Sequence, residues 1–181
     1  MSARTKAPDQ QDDGTPLGGR RSAARLIAVQ ALYEIEMAGA STEAVLRQFM
    51  DRRWGRRSEE EGAGPLIKPD TEWLVVLVRG VAERMAELDE AIAGALDKAR
   101  PLERLEVLLR AILRAGAYEL VSQTDVPARV IINEYMNIAH AFFAGKEPSL
   151  VNGVLDRLAH VLRHQELEDP SGGQAAEDKR V

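Results

Sequence analysis

The chain has 181 residues, 45% of them hydrophobic but only 4% aromatic, a formal net charge of −5 and no cysteine. That length allows one domain of ordinary size or two tightly joined halves, with a core of Leu, Val, Ile and Ala that favours helices. Disulfides and thiolate metal sites are excluded, and no run reaches the roughly 18 apolar residues of a membrane span.

The acidic excess sits at the two ends. Residues 1–18 hold two basic and three acidic residues, residues 165–181 hold two and five, and the body between them carries 20 and 21. Both ends are polar and read as disordered tails around a helical domain over residues 19–164. The N-terminal tail lacks the apolar run of a secretory signal, so the chain is expected in the cytoplasm. A nearly neutral body admits nucleic acid only through a local patch.

The first predicted helix runs from about Ser22 to Ala38, with Leu26, Val29 and Tyr33 on one stripe and Ala28, Leu32 and Ile35 on the next. A face that wide packs on more than one neighbour. Gly39 supplies a C-terminal stop. Ser41 caps a second helix carrying Val45, Leu46, Phe49 and Met50. Residues 55–69 read as a loop, containing Gly62, Gly64, Pro65 and an acidic run at Glu59–Glu61.

Asp70 caps a third helix with Leu74, Leu77, Val78, Val81 and Met85 at spacings of three and four. Asp89 is expected to cap a short fourth, and Pro101 to open a fifth through Leu105, Leu108, Leu109, Ile112, Leu113 and Leu120. Gly116 inside that helix costs about 1 kcal/mol against Ala, which predicts a neighbour crossing closely there. Pro127 opens a sixth helix with Val130, Ile131, Tyr135, Ile138 and Phe142. After Gly145 and Pro148 comes a seventh, with Val151, Val154, Leu155, Leu158, Val161 and Leu162. No segment alternates with period two, so the fold class is all-α.

Signals for catalysis are sparse: there is no phosphate loop, zinc-protease motif or nucleophile elbow. His160 and His164 stand four apart but find no third ligand in the sequence, so two exposed histidines at a helix end are expected rather than a metal clamp. No catalytic residue, metal or cofactor is assigned.

The basic start is more informative. Arg20 and Arg21 precede the first helix, and Arg25 follows Arg21 by one turn on the same face. Positive charge there opposes the helix dipole, and the planar guanidinium donates two hydrogen bonds to a phosphate. A polyanion site and an ordinary solvated basic end both fit these residues. The cluster Arg52-Arg53-Trp54-Gly55-Arg56-Arg57 offers charge and stacking, but cations that favour a helix C-terminus explain it as well. Asn133-Glu134 and Asn152-Gly153 interrupt apolar stretches and read as polar locks between helices.

Four segments carry a resemblance. Arg25-Leu26-Ile27-Ala28-Val29-Gln30-Ala31-Leu32-Tyr33, Leu113-Arg114-Ala115-Gly116-Ala117-Tyr118-Glu119-Leu120, Asp125-Val126-Pro127 followed by Ile132-Asn133-Glu134, and Val151-Asn152-Gly153-Val154-Leu155-Asp156 together resemble, in order, the NusB family of bacterial transcription antitermination factors. The likeness spans about residues 20–163. It implies seven helices in two three-helix bundles packed crosswise. It also implies a protein that pairs with the ribosomal protein NusE and holds the single-stranded boxA element of nascent ribosomal RNA. RNA polymerase, with the other Nus factors, then resists termination.

By the same resemblance Arg20, Arg21 and Arg25 correspond to an arginine-rich RNA-binding start, Gln30 is a further contact, and Lys146 lies in a loop near the RNA. Ser22 and Ala23 interrupt the arginine run, which implies a modest affinity without NusE. Two other readings remain beside this one. One is a helical scaffold that docks proteins without touching RNA. The other is a module like the N-terminal part of ribosomal-RNA cytosine methyltransferases, although no stretch here reads as the α/β domain those enzymes need. The sequence leaves open whether two copies pair.

Overall fold

The computed structural model describes residues 19–54 and 67–168. Among these residues the chain forms eight α-helices and one 3₁₀ turn, with no strand. They are α1 (Arg20–Ala38), α2 (Thr42–Trp54), α3 (Thr71–Glu83), α4 (Met85–Ala95), the 3₁₀ turn Leu102–Arg104, α5 (Val107–Ser122), α6 (Ala128–Phe142), α7 (Glu147–Leu162) and α8 (His164–Glu168). Of the two predicted tails only residues 165–168 are described, and residues 55–66 of the predicted loop lie outside the described residues as well. The arginine cluster at 52–57 falls partly there, and only the backbone of its first three residues is described, as the end of α2.

Helices α1, α2 and α3 make one bundle, and α5, α6 and α7 make the other, with α4 seated on α5 and α7. The bundles meet chiefly where α1 lies on α5. The two run in opposite directions, because Arg25 early in α1 pairs with Glu119 late in α5, while Glu36 late in α1 pairs with Arg110 and Arg114 early in α5. Both helices bury small side chains, Ala24, Ala28 and Ala31 on α1 and Ala111, Ala115 and Ala117 on α5. The buried apolar residues of both bundles form one contiguous core.

Local chemistry fixes most boundaries. Gly39 ends α1 in the left-handed region at φ 61°, which glycine adopts without steric cost. The Ser41 hydroxyl oxygen accepts the Ala44 N–H at 3.3 Å at the start of α2. The Asp70 carboxylate accepts the Trp73 N–H at 3.1 Å at the start of α3. Gly116 lies where a Cβ would stand 2.7 Å from Leu155 Cδ1 and 3.2 Å from the Tyr135 ring, the predicted close crossing of α5 by its neighbours.

Three expectations are corrected. Asp89 caps nothing: it sits inside α4, where its two oxygens accept from Arg114 Nε and Nη2 at 2.6 and 2.8 Å. Pro101 precedes the 3₁₀ turn, and α5 begins only at Val107, because Arg110 Nη1 donates to the Leu105 carbonyl at 2.7 Å and holds that stretch open. Residues 165–168, expected to be tail, belong to α8. Glu166 there accepts the Ala128 N–H at 2.7 Å and so caps α6, and Arg163 donates to the carbonyls of Leu120, Gln123 and Val126.

Candidate nucleic-acid interface

Helix α1 starts without a side-chain cap. Gly19 holds the N-cap position in extended conformation, and no acidic residue stands in the first turn. Arg20 and Arg21 are exposed there, against the positive end of the helix dipole.

The start of α3 lies beside them. The Asp70 N–H donates to the Arg20 carbonyl at 2.9 Å, so two helix N-termini stand together with the Asp70 carboxylate beside Arg21. Arg21 Nε is 4.0 Å from Asp70 Oδ2, with the two side chains 55% and 33% exposed. The Arg21 guanidinium lies 5.0 Å from the centroid of the Trp73 ring, within range of a cation–π contact. Lys68, two residues before Asp70, is exposed as well.

Arg25 is not part of this surface. It is 4% exposed. Its Nε and Nη2 donate to Glu119 at 2.7 and 2.9 Å, and its Nη1 stands 3.4 Å from Glu134 Oε2. Glu119 is fully buried. Burial by itself would lower the Arg25 pKa, but the hydrogen bonds and charge of Glu119 outweigh it and hold the guanidinium protonated above its ordinary value. Tyr135 shares the node, and burial, with the charge of Glu119 behind it, pushes its phenol well above the usual tyrosine range. The correction has a simple physical reason: a guanidinium buried in the core between two carboxylates is out of reach of a phosphate at the surface.

The remaining predicted contacts lie on α1 and at the start of α7. Gln30 is half-buried on α1, about 14 Å along the helix axis from Arg21. Lys146 is exposed at the N-cap position of α7, and among the described residues no hydrogen bond or ion pair joins it to α1. The geometry therefore exposes Arg20 and Arg21 side by side, with Gln30 further along α1 and Lys146 at the start of α7, and turns Arg25 inward. Asn133 and Asn152 are exposed rather than locked between helices; Glu134 is the interruption that meets a partner.

Sequence reasoning missed Glu119, Asp70 and Trp73 as members of this region. A signal for Glu119 was present, a lone carboxylate in the apolar run Ala115–Leu120, whereas the adjacency of α1 and α3 has no local signature. His160 Nδ1 lies 2.8 Å from the Asp156 carbonyl oxygen on its own helix. No group of three His, Cys, Asp or Glu side chains converges for a metal among the described residues, and none of the described helices is long and apolar enough to cross a membrane.

Two three-helix bundles keyed together by a buried arginine, with one exposed cationic corner, define a helical-bundle class with no catalytic constellation on view among the described residues. Residues 22–160 match the NusB family. A transcription antitermination protein NusB from Maricaulis maris is 45% identical over 147 residues, covering 81% of this chain and 90% of that protein. One from Brucella anthropi is 46% identical over 144 residues, covering 80% and 84%. Among solved structures, T. maritima NusB is similar with a TM-score of 0.66 at 28% identity, over 82% of this chain and 96% of that one. A chain from the crystal structure of antitermination factors NusB and NusE in complex with dsRNA has a TM-score of 0.63 at 21% identity, over 78% and 97%, a likeness of fold. The chain belongs to the NusB family.

Proposed function

We propose that this chain is a transcription antitermination factor that, with NusE, holds boxA RNA of nascent ribosomal transcripts at the corner of Arg20 and Arg21. RNA polymerase and the other Nus factors are then reached indirectly. The protein acts by binding and not as a catalyst. The observation that carries the reading is the pair of exposed arginines at an uncapped helix start, where they oppose the stability of their own helix. Family membership supplies the partner and the transcript. The names of the relatives and the NusB–NusE–dsRNA complex support the same reading.

In this reading Arg20 and Arg21 donate to phosphates, Gln30 and Lys146 add contacts further along the path, and Arg25 positions α1 without touching RNA. The Arg20→Ala, Arg21→Ala double variant tests it in titrations with boxA RNA, with and without NusE, over a range of salt. Each phosphate contact on single-stranded RNA contributes about −0.7 to the slope of log affinity against log salt. Loss of two contacts makes the slope shallower by about 1.4 and weakens binding at low salt. Unchanged affinity and slope would leave the alternative of a protein-docking scaffold that does not touch RNA.

A further inference from the structure

We propose that Asp70 sets the affinity of this corner by competing with RNA phosphate for Arg21. The inference rests on the RNA-binding reading above and names a residue that tunes it.

Asp70 is held in place by three hydrogen bonds. Its N–H donates to the Arg20 carbonyl at 2.9 Å, and its carbonyl oxygen accepts the Leu74 N–H at 3.0 Å. Its Oδ1 accepts the Trp73 N–H at 3.1 Å. The second oxygen, Oδ2, is left facing Arg21 Nε at 4.0 Å. Because the cap and the backbone fix the carboxylate, it cannot swing away when a phosphate arrives. The phosphate must then share Arg21 with a fixed negative charge a few ångströms off. Trp73, in the first turn of α3, lies under the same guanidinium and limits where Arg21 can retreat.

Two effects of one charge therefore oppose each other. The Asp70 carboxylate stands at two helix N-termini, where negative charge is stabilising. In the same place it repels the polyanion that the corner is proposed to hold. An aspartate whose role is only to cap α3 would support stability and leave affinity alone.

The Asp70→Asn variant separates the two, because asparagine caps as well as aspartate but carries no charge. The expected result is binding of boxA RNA about three- to tenfold tighter at low salt, as for removal of one nearby like charge at a water-exposed site, with a steeper salt slope and an unchanged or slightly lower melting temperature. In an Arg21→Ala background the same substitution gives less than half of that gain on a logarithmic scale. Asp70→Ser, which keeps a capping oxygen, gives the same direction and guards against an effect peculiar to asparagine. Equal or weaker binding by Asp70→Asn in a protein whose RNA binding depends on Arg21 overturns the inference alone. Wild-type binding that is insensitive to Arg20 and Arg21 overturns the RNA-binding reading and the inference with it. A gain that persists in full without Arg21 overturns the mechanism of competition.

Discussion

Arg21 and Arg25 differ by one helical turn and have opposite fates. Arg21 ends at the surface between an aromatic ring and a half-exposed carboxylate, while Arg25 is closed into the core by Glu119, 94 residues away in the chain. Breaking a buried pair by removing one partner leaves an uncompensated charge, at a cost of about 3–5 kcal/mol. Arg25→Ala should destabilise by that amount, read from the urea midpoint. Arg25→Met combined with Glu119→Leu should recover part of the loss, since an apolar replacement of a buried pair is often neutral but Glu134 then loses its cation. If Arg25→Ala unfolds at the wild-type midpoint, the node is not holding α1 in place. The spacing of the three arginines was legible in the sequence, but not which of them turns inward. That depends on a residue from another helix, and only the lone glutamate in an apolar run hinted at it.

At the level of helices, α5 and α7 supply a paired test of the close crossing. A Cβ on Gly116 would stand 2.7 Å from Leu155 Cδ1, whereas one on Gly153 meets nothing within 4 Å. Alanine gains about 1 kcal/mol over glycine in a helix interior, and overpacking a core costs about 1–3 kcal/mol. Gly153→Ala should therefore raise the melting temperature and Gly116→Ala should lower it. A rise in both would mean that α7 moves aside at no cost. The crossing was legible because a glycine that lowers helix propensity inside a long apolar run demands a packing reason. The start of α4 was not legible. Asp89 has the composition of a cap, but the Arg114 fork on α5 claims both its oxygens. The start of α5 escaped for the same kind of reason, with Arg110 bonding carbonyls upstream. Caps and prolines mark ends well where they act locally, at Gly39, Ser41 and Asp70, and poorly where a distant arginine outbids them.

For the molecule as a whole, the question is whether the two bundles are two cooperative units or one. Charged pairs stand near the two ends of the seam between α1 and α5, Arg25 with Glu119 and Glu36 with Arg110 and Arg114. Arg114 reaches Asp89 of α4 as well, so its guanidinium ties elements of both bundles. Neither bundle can expose this seam without uncovering α1, which is core to one, and α5, which is core to the other. They should unfold together. The placement of tryptophan makes the point measurable: in a Trp54→Phe background the buried Trp73 of α3 is the one indole left, so its fluorescence reports the N-terminal bundle while far-ultraviolet circular dichroism reports every helix. Coincident urea transitions by the two probes are expected in that background, and Arg114→Met should shift both midpoints equally. A fluorescence transition that runs ahead of the dichroism would divide the protein into two units. The cationic corner, on α1 and α3, would then be able to open while the second bundle stays folded.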